Sequence, residues 1–142
     1  MYYDFNGKKK KILVVDDTSM TLRNIKSILD RKYEVFLATS GPQGLKFIPE
    51  KEPDLVLLDY QMPEMSGKEV FETMQADENM KNIPVVFLTG VDDKKTIMSV
   101  LALKPAGYLL KPVDEDKLLD TLEQILEPAG ETGDSEDSAE LR

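Results

Sequence analysis

Residues 55–59 read Leu-Val-Leu-Leu-Asp, and residues 60–67 continue as Tyr-Gln-Met-Pro-Glu-Met-Ser-Gly. A run of apolar residues that does not alternate with polar ones is typical of a strand covered on both faces, as in a parallel sheet. This run ends on a carboxylate and passes into a loop that contains proline and glycine. We therefore predict a buried strand that carries Asp59 at its carboxyl end.

Similar short runs recur on both sides of this stretch, and each is followed by a segment whose apolar residues have helical spacing. The further predicted strands are residues 11–15, 33–38, 85–88 and 108–110. Helix starts are expected near Thr18 or Ser19, at Ser40 and at Asp114, where a side-chain oxygen can cap the first turn. Element ends are expected at the prolines Pro49, Pro53, Pro84 and Pro105. The alternation predicts an α/β domain, a (βα)5 doubly wound five-stranded parallel sheet with helices on both faces.

The bulk composition is that of one globular domain. The chain has 142 residues, is 41 % hydrophobic and 32 % charged, and has no cysteine. No apolar run approaches the ~20 residues of a membrane span, and no secretory signal is recognisable, so we expect a cytoplasmic protein. The net charge of -9 argues against direct nucleic-acid binding. We predict an N-terminal extension at 1–9, one domain at 10–127 and a disordered acidic tail at 128–142.

Polar residues stand at the carboxyl ends of four of the predicted strands, where ligands bind to sheets of this type. They are Asp16 and Asp17 after the first strand, Asp59, Thr89 and Lys111. Three carboxylates at one edge repel one another unless a cation lies among them. Because the chain has no histidine or cysteine, Mg²⁺ is the expected ion, with Mn²⁺ as an alternative.

This set of groups suits phosphoryl transfer to a carboxylate. Asp59 is the predicted phosphoacceptor, because it ends the central strand opposite the first-strand pair. The Lys111 ammonium would meet phosphoryl oxygens as a positive charge, and the Thr89 hydroxyl would donate a hydrogen bond to another of them.

The motifs Asp16-Asp17, residues 59–67, Thr89-Gly90 and Lys111-Pro112 occur in the order and at the spacings of a known family. Over roughly residues 10–127 the sequence resembles the CheY-like receiver domain of two-component response regulators. The resemblance implies the flavodoxin-like strand order 2-1-3-4-5. It also implies a signalling module that catalyses only its own phosphorylation and dephosphorylation, and so is not an enzyme in the usual sense.

Further roles follow from the resemblance alone. Asp16, Asp17 and Asp59 would serve the metal together with the backbone carbonyl of Gln61. Thr89 and Tyr108 would form the switch, with the Tyr108 ring moving inward after phosphorylation. Lys111-Pro112 would be a cis peptide. The side chains of Gln61 and Val91 would tune dephosphorylation.

The implied partners are a histidine kinase or phosphotransfer protein as donor, and a downstream effector that binds the face of the fourth helix, fifth strand and fifth helix. A phosphorylation-linked homodimer is a further expectation. The sequence departs from the family at Lys104-Pro105-Ala106-Gly107, where we expect Pro105 to end the fourth helix abruptly and so to change the usual shape of that face.

Two alternatives remain open. A phosphorylation-independent scaffold would use the same fold. An aspartate-nucleophile phosphatase of the haloacid dehalogenase type would also use Mg²⁺, Asp, Thr and Lys, but its nucleophile ends the first strand and a second Asp follows two residues later, where this chain has Thr18.

Overall fold

The computed structural model describes residues 7–90 and 94–127. Strands and helices alternate throughout. They are β1 Lys11–Val15, α1 Ser19–Leu29, β2 Glu34–Ala38, α2 Gly41–Lys51, β3 Leu55–Asp59, α3 Gly67–Gln75, β4 Val85–Thr89, α4 Lys94–Ala102, β5 Gly107–Leu110 and α5 Glu115–Leu126. The (βα)5 prediction is therefore confirmed. The tail at 128–142 and most of the predicted extension lie outside the described residues.

The five strands form one parallel sheet in the order β2-β1-β3-β4-β5, as predicted. The register pairs Val15 with Leu58, so the carboxyl ends of β1 and β3 lie level with each other. On the other side of β3, Asp59 pairs with Leu88, and Thr89 pairs with Leu110 of β5. This register brings the polar residues after the strands to one edge.

The sheet separates two apolar layers, because alternate strand residues point to opposite faces. Helices α1 and α5 pack on one face through Leu22, Ile25, Leu118 and Leu122. Helices α2, α3 and α4 pack on the other face, where Phe87 is fully buried. Among the described residues, no helix combines the length and apolar character needed to cross a membrane.

Two of the three helix starts predicted from capping residues have the expected side-chain cap. The Ser40 hydroxyl accepts a hydrogen bond from the Gln43 N–H at 3.2 Å, and the Asp114 carboxylate accepts one from Lys117 at 3.0 Å. Thr18 occupies the N-cap of α1 without a side-chain capping bond. Sequence reasoning missed the cap of α3, where Ser66 and Glu69 form a reciprocal capping box.

The prediction that Pro49 ends a helix is wrong, because Pro49 lies inside α2. The helix continues to Lys51, since proline removes only one N–H from the last turn. The next turn is closed by the Glu52 N–H, which donates to the Ile48 carbonyl at 2.8 Å. Glu52 then adopts a left-handed conformation (φ 50°) directly before Pro53. Pro105 behaves as expected, because α4 ends three residues before it.

Candidate functional site

The edge formed by the carboxyl ends of the strands collects the predicted site residues. Asp16 follows β1 directly, Asp59 is the last residue of β3, and Lys111 follows β5. The Asp16 N–H donates to the Ala38 carbonyl at 3.1 Å, and the Lys111 N–H donates to the Thr89 carbonyl at 2.8 Å. These backbone hydrogen bonds extend the sheet ladder by one residue beyond β1 and beyond β5, and they fix the backbone positions of Asp16 and Lys111.

Asp16 is completely buried, and both of its carboxylate oxygens have partners. Oδ1 accepts a hydrogen bond from the Thr18 N–H at 2.8 Å, and Oδ2 lies 2.7 Å from the Lys111 ammonium nitrogen. The contact from the Thr18 backbone was not predicted. An Asp whose oxygen accepts the N–H two residues later is a common local turn, so the sequence Asp-Asp-Thr carried that signal.

Lys111 joins the two buried carboxylates. Its Nζ lies 2.7 Å from Asp16 Oδ2 and 3.3 Å from Asp59 Oδ2. Burial, the largest single effect, lowers the pKa of Lys111, but contacts with Asp16 and Asp59 outweigh it and the pKa is raised. Lys111 is therefore a permanent cation at the centre of the site.

Asp59 is 3 % exposed, and its pKa is raised from 3.8 to about 6. The main cause is burial, which disfavours the charged carboxylate, and the negative charge of Asp16 adds to it. Lys111 and the Gln61 N–H act in the opposite direction without cancelling the rise. An additional positive charge at this edge would therefore stabilise the ionised form of Asp59.

The three aspartates at this edge fit a hard divalent cation. One carboxylate oxygen from each of Asp16, Asp17 and Asp59 can be chosen so that all lie within 4.8 Å of one another. Asp17 is exposed, whereas the other two are buried, so the group opens to solvent on the Asp17 side. Oxygen donors in such a group suit Mg²⁺. Burial is the main cause of the raised pKa of Asp59, the Asp16 charge adds to it, and Lys111 does not cancel the rise.

Gly67 allows the start of α3 to pack directly against the backbone at the end of β3. A Cβ at this position would overlap the Asp59 carbonyl oxygen and lie 2.8 Å from the Tyr60 Cα. The Gly67 N–H donates to the Tyr60 carbonyl at 2.9 Å. Because backbone atoms cannot move aside as a flexible side chain can, glycine is required here to hold the loop after Asp59 against β3.

The remaining predicted residues lie around this centre. Thr89 is buried at the end of β4, one strand from Asp59. The Gln61 N–H approaches Asp59 Oδ1 at 3.4 Å. Tyr108, at the second position of β5, is half-buried and packs against the core layer that contains Phe87. The Lys111–Pro112 peptide bond is cis, as expected. Val91 lies outside the described residues.

Comparison with known proteins agrees with this architecture. The family described as "Response regulator receiver domain" matches residues 12–123. The "Polar-differentiation response regulator DivK" of Brucella ovis is 28 % identical over 118 residues, covering 82 % of this chain and 96 % of that protein. The "Hybrid signal transduction histidine kinase D" of Dictyostelium discoideum is 33 % identical over 111 residues, covering 78 % of this chain and 7 % of that protein.

Solved structures show the same fold. Vibrio cholerae chemotaxis protein CheY4 superposes with a TM-score of 0.75 at 28 % identity, covering 82 % of this chain and 98 % of that one. The N-terminal domain of a response regulator receiver protein from Methanoculleus marisnigri gives a TM-score of 0.66 at 33 % identity, covering 82 % and 96 %. Because the family match spans most of the chain and includes every strand end described above, this chain belongs to the CheY-like receiver domains of two-component signalling, which are signalling modules rather than classical enzymes.

Proposed function

We propose that this receiver accepts a phosphoryl group on Asp59 in a Mg²⁺-dependent reaction and thereby changes a surface that binds an effector. The observation that carries the proposal is the set of charges around Asp59. Lys111 lies 3.3 Å away, and two further carboxylates share the same edge. This combination supplies a nucleophile, a fixed cation and oxygen ligands for a metal in one place.

In the proposed reaction, a carboxylate oxygen of Asp59 forms a new bond to phosphorus as the bond to the donor's leaving group breaks. The leaving group departs with that electron pair. The Lys111 ammonium balances charge on the phosphoryl oxygens, and the Thr89 hydroxyl donates a hydrogen bond to one of them. The donor would be a phosphohistidine of a kinase or phosphotransfer protein, or a small molecule such as acetyl phosphate.

Asp17 and Asp59 are the residues proposed to hold Mg²⁺ directly, with the Gln61 carbonyl as a further ligand. Asp16 would take part directly or through water, since both of its oxygens already have partners. When bound, the ion neutralises charge shared between the carboxylates and the phosphoryl oxygens. Mn²⁺ offers the same octahedral oxygen chemistry and is the expected substitute.

The proposed effector surface is the face of α4, β5 and α5. Its apolar side chains include Met98 (58 % exposed), Leu101 (48 %) and Leu110 (43 %). Exposed apolar groups that lie near one another are typical of surfaces that bind other proteins. We propose that Thr89 and Tyr108 couple phosphorylation to this face, because Tyr108 lies on β5 and packs against the apolar cluster that contains Val100 of α4.

Intact-mass analysis after treatment with acetyl phosphate tests the proposal. With Mg²⁺ we expect one added phosphoryl group, and with EDTA none. Asp59→Asn should abolish the addition, whereas the matched control Asp120→Asn, an exposed aspartate on α5, should leave it unchanged. Labelling of Asp59→Asn at another residue would contradict the assignment.

The two alternatives make different predictions in the same experiment. A scaffold would remain unlabelled in every form although folded. A phosphatase with its nucleophile at the end of β1 would lose activity in Asp16→Asn and keep it in Asp59→Asn. The buried position of Asp16, with both oxygens engaged, argues against a nucleophilic role.

A further inference from the structure

A surface pocket of about 520 Å³ lies at the amino end of β3, away from Asp59. It is bounded by the last turn of α2 and by the loop between α3 and β4, and we call it the α2 pocket. Pro53 lines the pocket and stands two residues before β3, whereas Asp59 ends that strand. The four residue steps of β3 cover about 13 Å, so the α2 pocket is separate from the aspartate cluster.

The α2 pocket has an apolar lining to which Ile48, Met80 and Ile83 contribute. Ile48 is 2 % exposed, and all three belong to or pack against the core layer that contains Phe87. A pocket of a few hundred cubic ångströms with an apolar lining and few polar groups is the usual form of a small-molecule site. A stable protein partner needs roughly 20–30 residues on each side, which is far more surface than this pocket offers. The size therefore favours a small organic ligand.

Two carboxylates give the α2 pocket a negative charge. Glu52 follows α2 and Asp77 lies in the loop after α3, so one comes from each wall. Asp77 Oδ1 accepts a hydrogen bond from the Asn79 N–H at 2.7 Å. Within residues 7–90 and 94–127, neither Asp77 Oδ2 nor the Glu52 carboxylate has a hydrogen-bond or ion-pair partner. Both groups are therefore available to a ligand.

The lysines closest in sequence to these carboxylates contact other groups. Lys51 Nζ lies 5.2 Å from the centre of the Phe36 ring. Lys81 Nζ lies 3.1 Å from a carboxylate oxygen of Glu78. A ligand with a positive charge would therefore gain from the attraction of both pocket carboxylates without displacing a lysine from either of them.

The end of α2 adds a hydrogen-bond acceptor. The Glu52 N–H donates to the Ile48 carbonyl, so the helical donor for the next carbonyl, that of Pro49, would be residue 53. Residue 53 is a proline and has no N–H. No other described residue donates to the Pro49 carbonyl. Both prolines line the pocket, and the partial negative charge at this end of the helix favours a cationic donor.

We propose that the α2 pocket binds a small organic cation, a protonated amine attached to an aromatic or aliphatic group. The apolar part of this ligand packs on the apolar lining. Its ammonium group lies between Glu52 and Asp77 and donates to the Pro49 carbonyl. The bound ligand links α2 to the loop after α3 and stabilises the folded protein by mass action. This inference does not depend on phosphorylation of Asp59.

Titration of the isotope-labelled full chain with three probes of similar shape tests the proposal. The probes are phenethylamine, phenethyl alcohol and hydrocinnamate, which at neutral pH are a cation, a neutral molecule and an anion. We expect the amine to shift the amide signals of residues 48, 50–52 and 77–83 saturably, the alcohol to bind several-fold more weakly, and the anion not to bind. In 1 M NaCl, where the Debye length is about 3 Å, the amine should bind about as weakly as the alcohol.

Two pairs of substitutions identify the groups that hold the charge. Glu52→Gln with Asp77→Asn removes both pocket charges and keeps an oxygen acceptor at each position. This pair should weaken binding of phenethylamine several-fold and leave binding of phenethyl alcohol unchanged. Glu50→Gln with Glu72→Gln is the matched control, because it removes the same charge from exposed positions on α2 and α3 outside the pocket. It should leave binding of both probes unchanged.

Equal binding of phenethylamine and hydrocinnamate would overturn the proposal. So would amine-induced shifts confined to other parts of the chain, the lack of any saturable shift at millimolar amine, or an amine affinity that Glu52→Gln with Asp77→Asn leaves unchanged. Binding of an acetylated Phe-Arg dipeptide amide without binding of phenethylamine would also overturn it, since the pocket would then belong to a partner protein.

Discussion

Neutralising Asp59 should stabilise the metal-free protein, and the size of the effect follows from its pKa. A rise from 3.8 to about 6 corresponds to roughly 3 kcal/mol of preference for the neutral carboxyl in the folded state. Because Asp59 is only 3 % exposed, water does little to screen this effect. Asp59→Asn replaces the carboxylate by a neutral group of similar shape. The upper limit of the expected gain in the free energy of unfolding at pH 7 is therefore about 3 kcal/mol.

The pH dependence has a definite sign. Between pH 4 and pH 6 the folded state holds the Asp59 proton more tightly than the unfolded chain does, so stability falls as pH rises through this window. Above about pH 7 both states are ionised, and the loss is complete. The assay is urea unfolding in EDTA at several pH values, with the free energy of unfolding of the parent subtracted from that of Asp59→Asn.

We expect this difference to grow from near zero at pH 4 to between 1 and about 3 kcal/mol at pH 7. Asp120→Asn, at an exposed position on α5, is the control and should show no such growth. Millimolar Mg²⁺ should reverse the order, because it stabilises the parent by binding only to the native state. A difference that shrinks or becomes negative with rising pH in EDTA would refute the reasoning, since it would mean that the Lys111 contact outweighs burial.

Three other predictions concern the loop after Asp59, the end of α5 and the Tyr108 ring. Gly67→Ala should destabilise the protein by roughly 1–3 kcal/mol in urea unfolding, because its methyl group meets backbone atoms. Gly90→Ala, whose added methyl group meets nothing within 4 Å, is the control and should be nearly neutral. Lys10→Met should lower the free energy of unfolding by about 0.3–1 kcal/mol, because it removes the hydrogen bond from Lys10 Nζ to the Leu126 carbonyl. An unchanged urea midpoint would contradict this prediction. Beryllofluoride with Mg²⁺ should bury the Tyr108 ring, and identical tyrosine fluorescence quenching by iodide with and without it would exclude that movement.

The fold could be predicted because apolar runs and helical spacing agree along the whole chain. A strand that is covered on both faces is a continuous apolar run, as in residues 55–58, and such a run is easily recognised in the sequence. The edge residues followed from the same pattern, since every parallel strand ends at one side. Asp16, Asp59 and Lys111 therefore meet as expected.

Features that depend on distant pairing could not be predicted. The contacts of Lys9 and Lys10 are an example, because the sequence does not indicate that α1 and α5 end beside these two lysines. The burial of Asp16 and the exposure of Asp17 also follow only from the assembled sheet, since both residues lie in the connection after β1, where no regular pattern sets the direction of a side chain. Pro49 misled the interpretation because a proline near the end of a helix costs one hydrogen bond and not the whole turn.

The division of the core by the sheet has a consequence for combining substitutions. Buried side chains under α1 and α5 form one cluster and those under α2, α3 and α4 form another, because the backbone of five strands lies between them. Changes in free energy from substitutions in opposite layers should therefore add, whereas changes within one layer couple. Helices α1 and α5 can accordingly be repacked for stability as an independent module, without altering the packing of the α3 and α4 layer, against which Tyr108 lies.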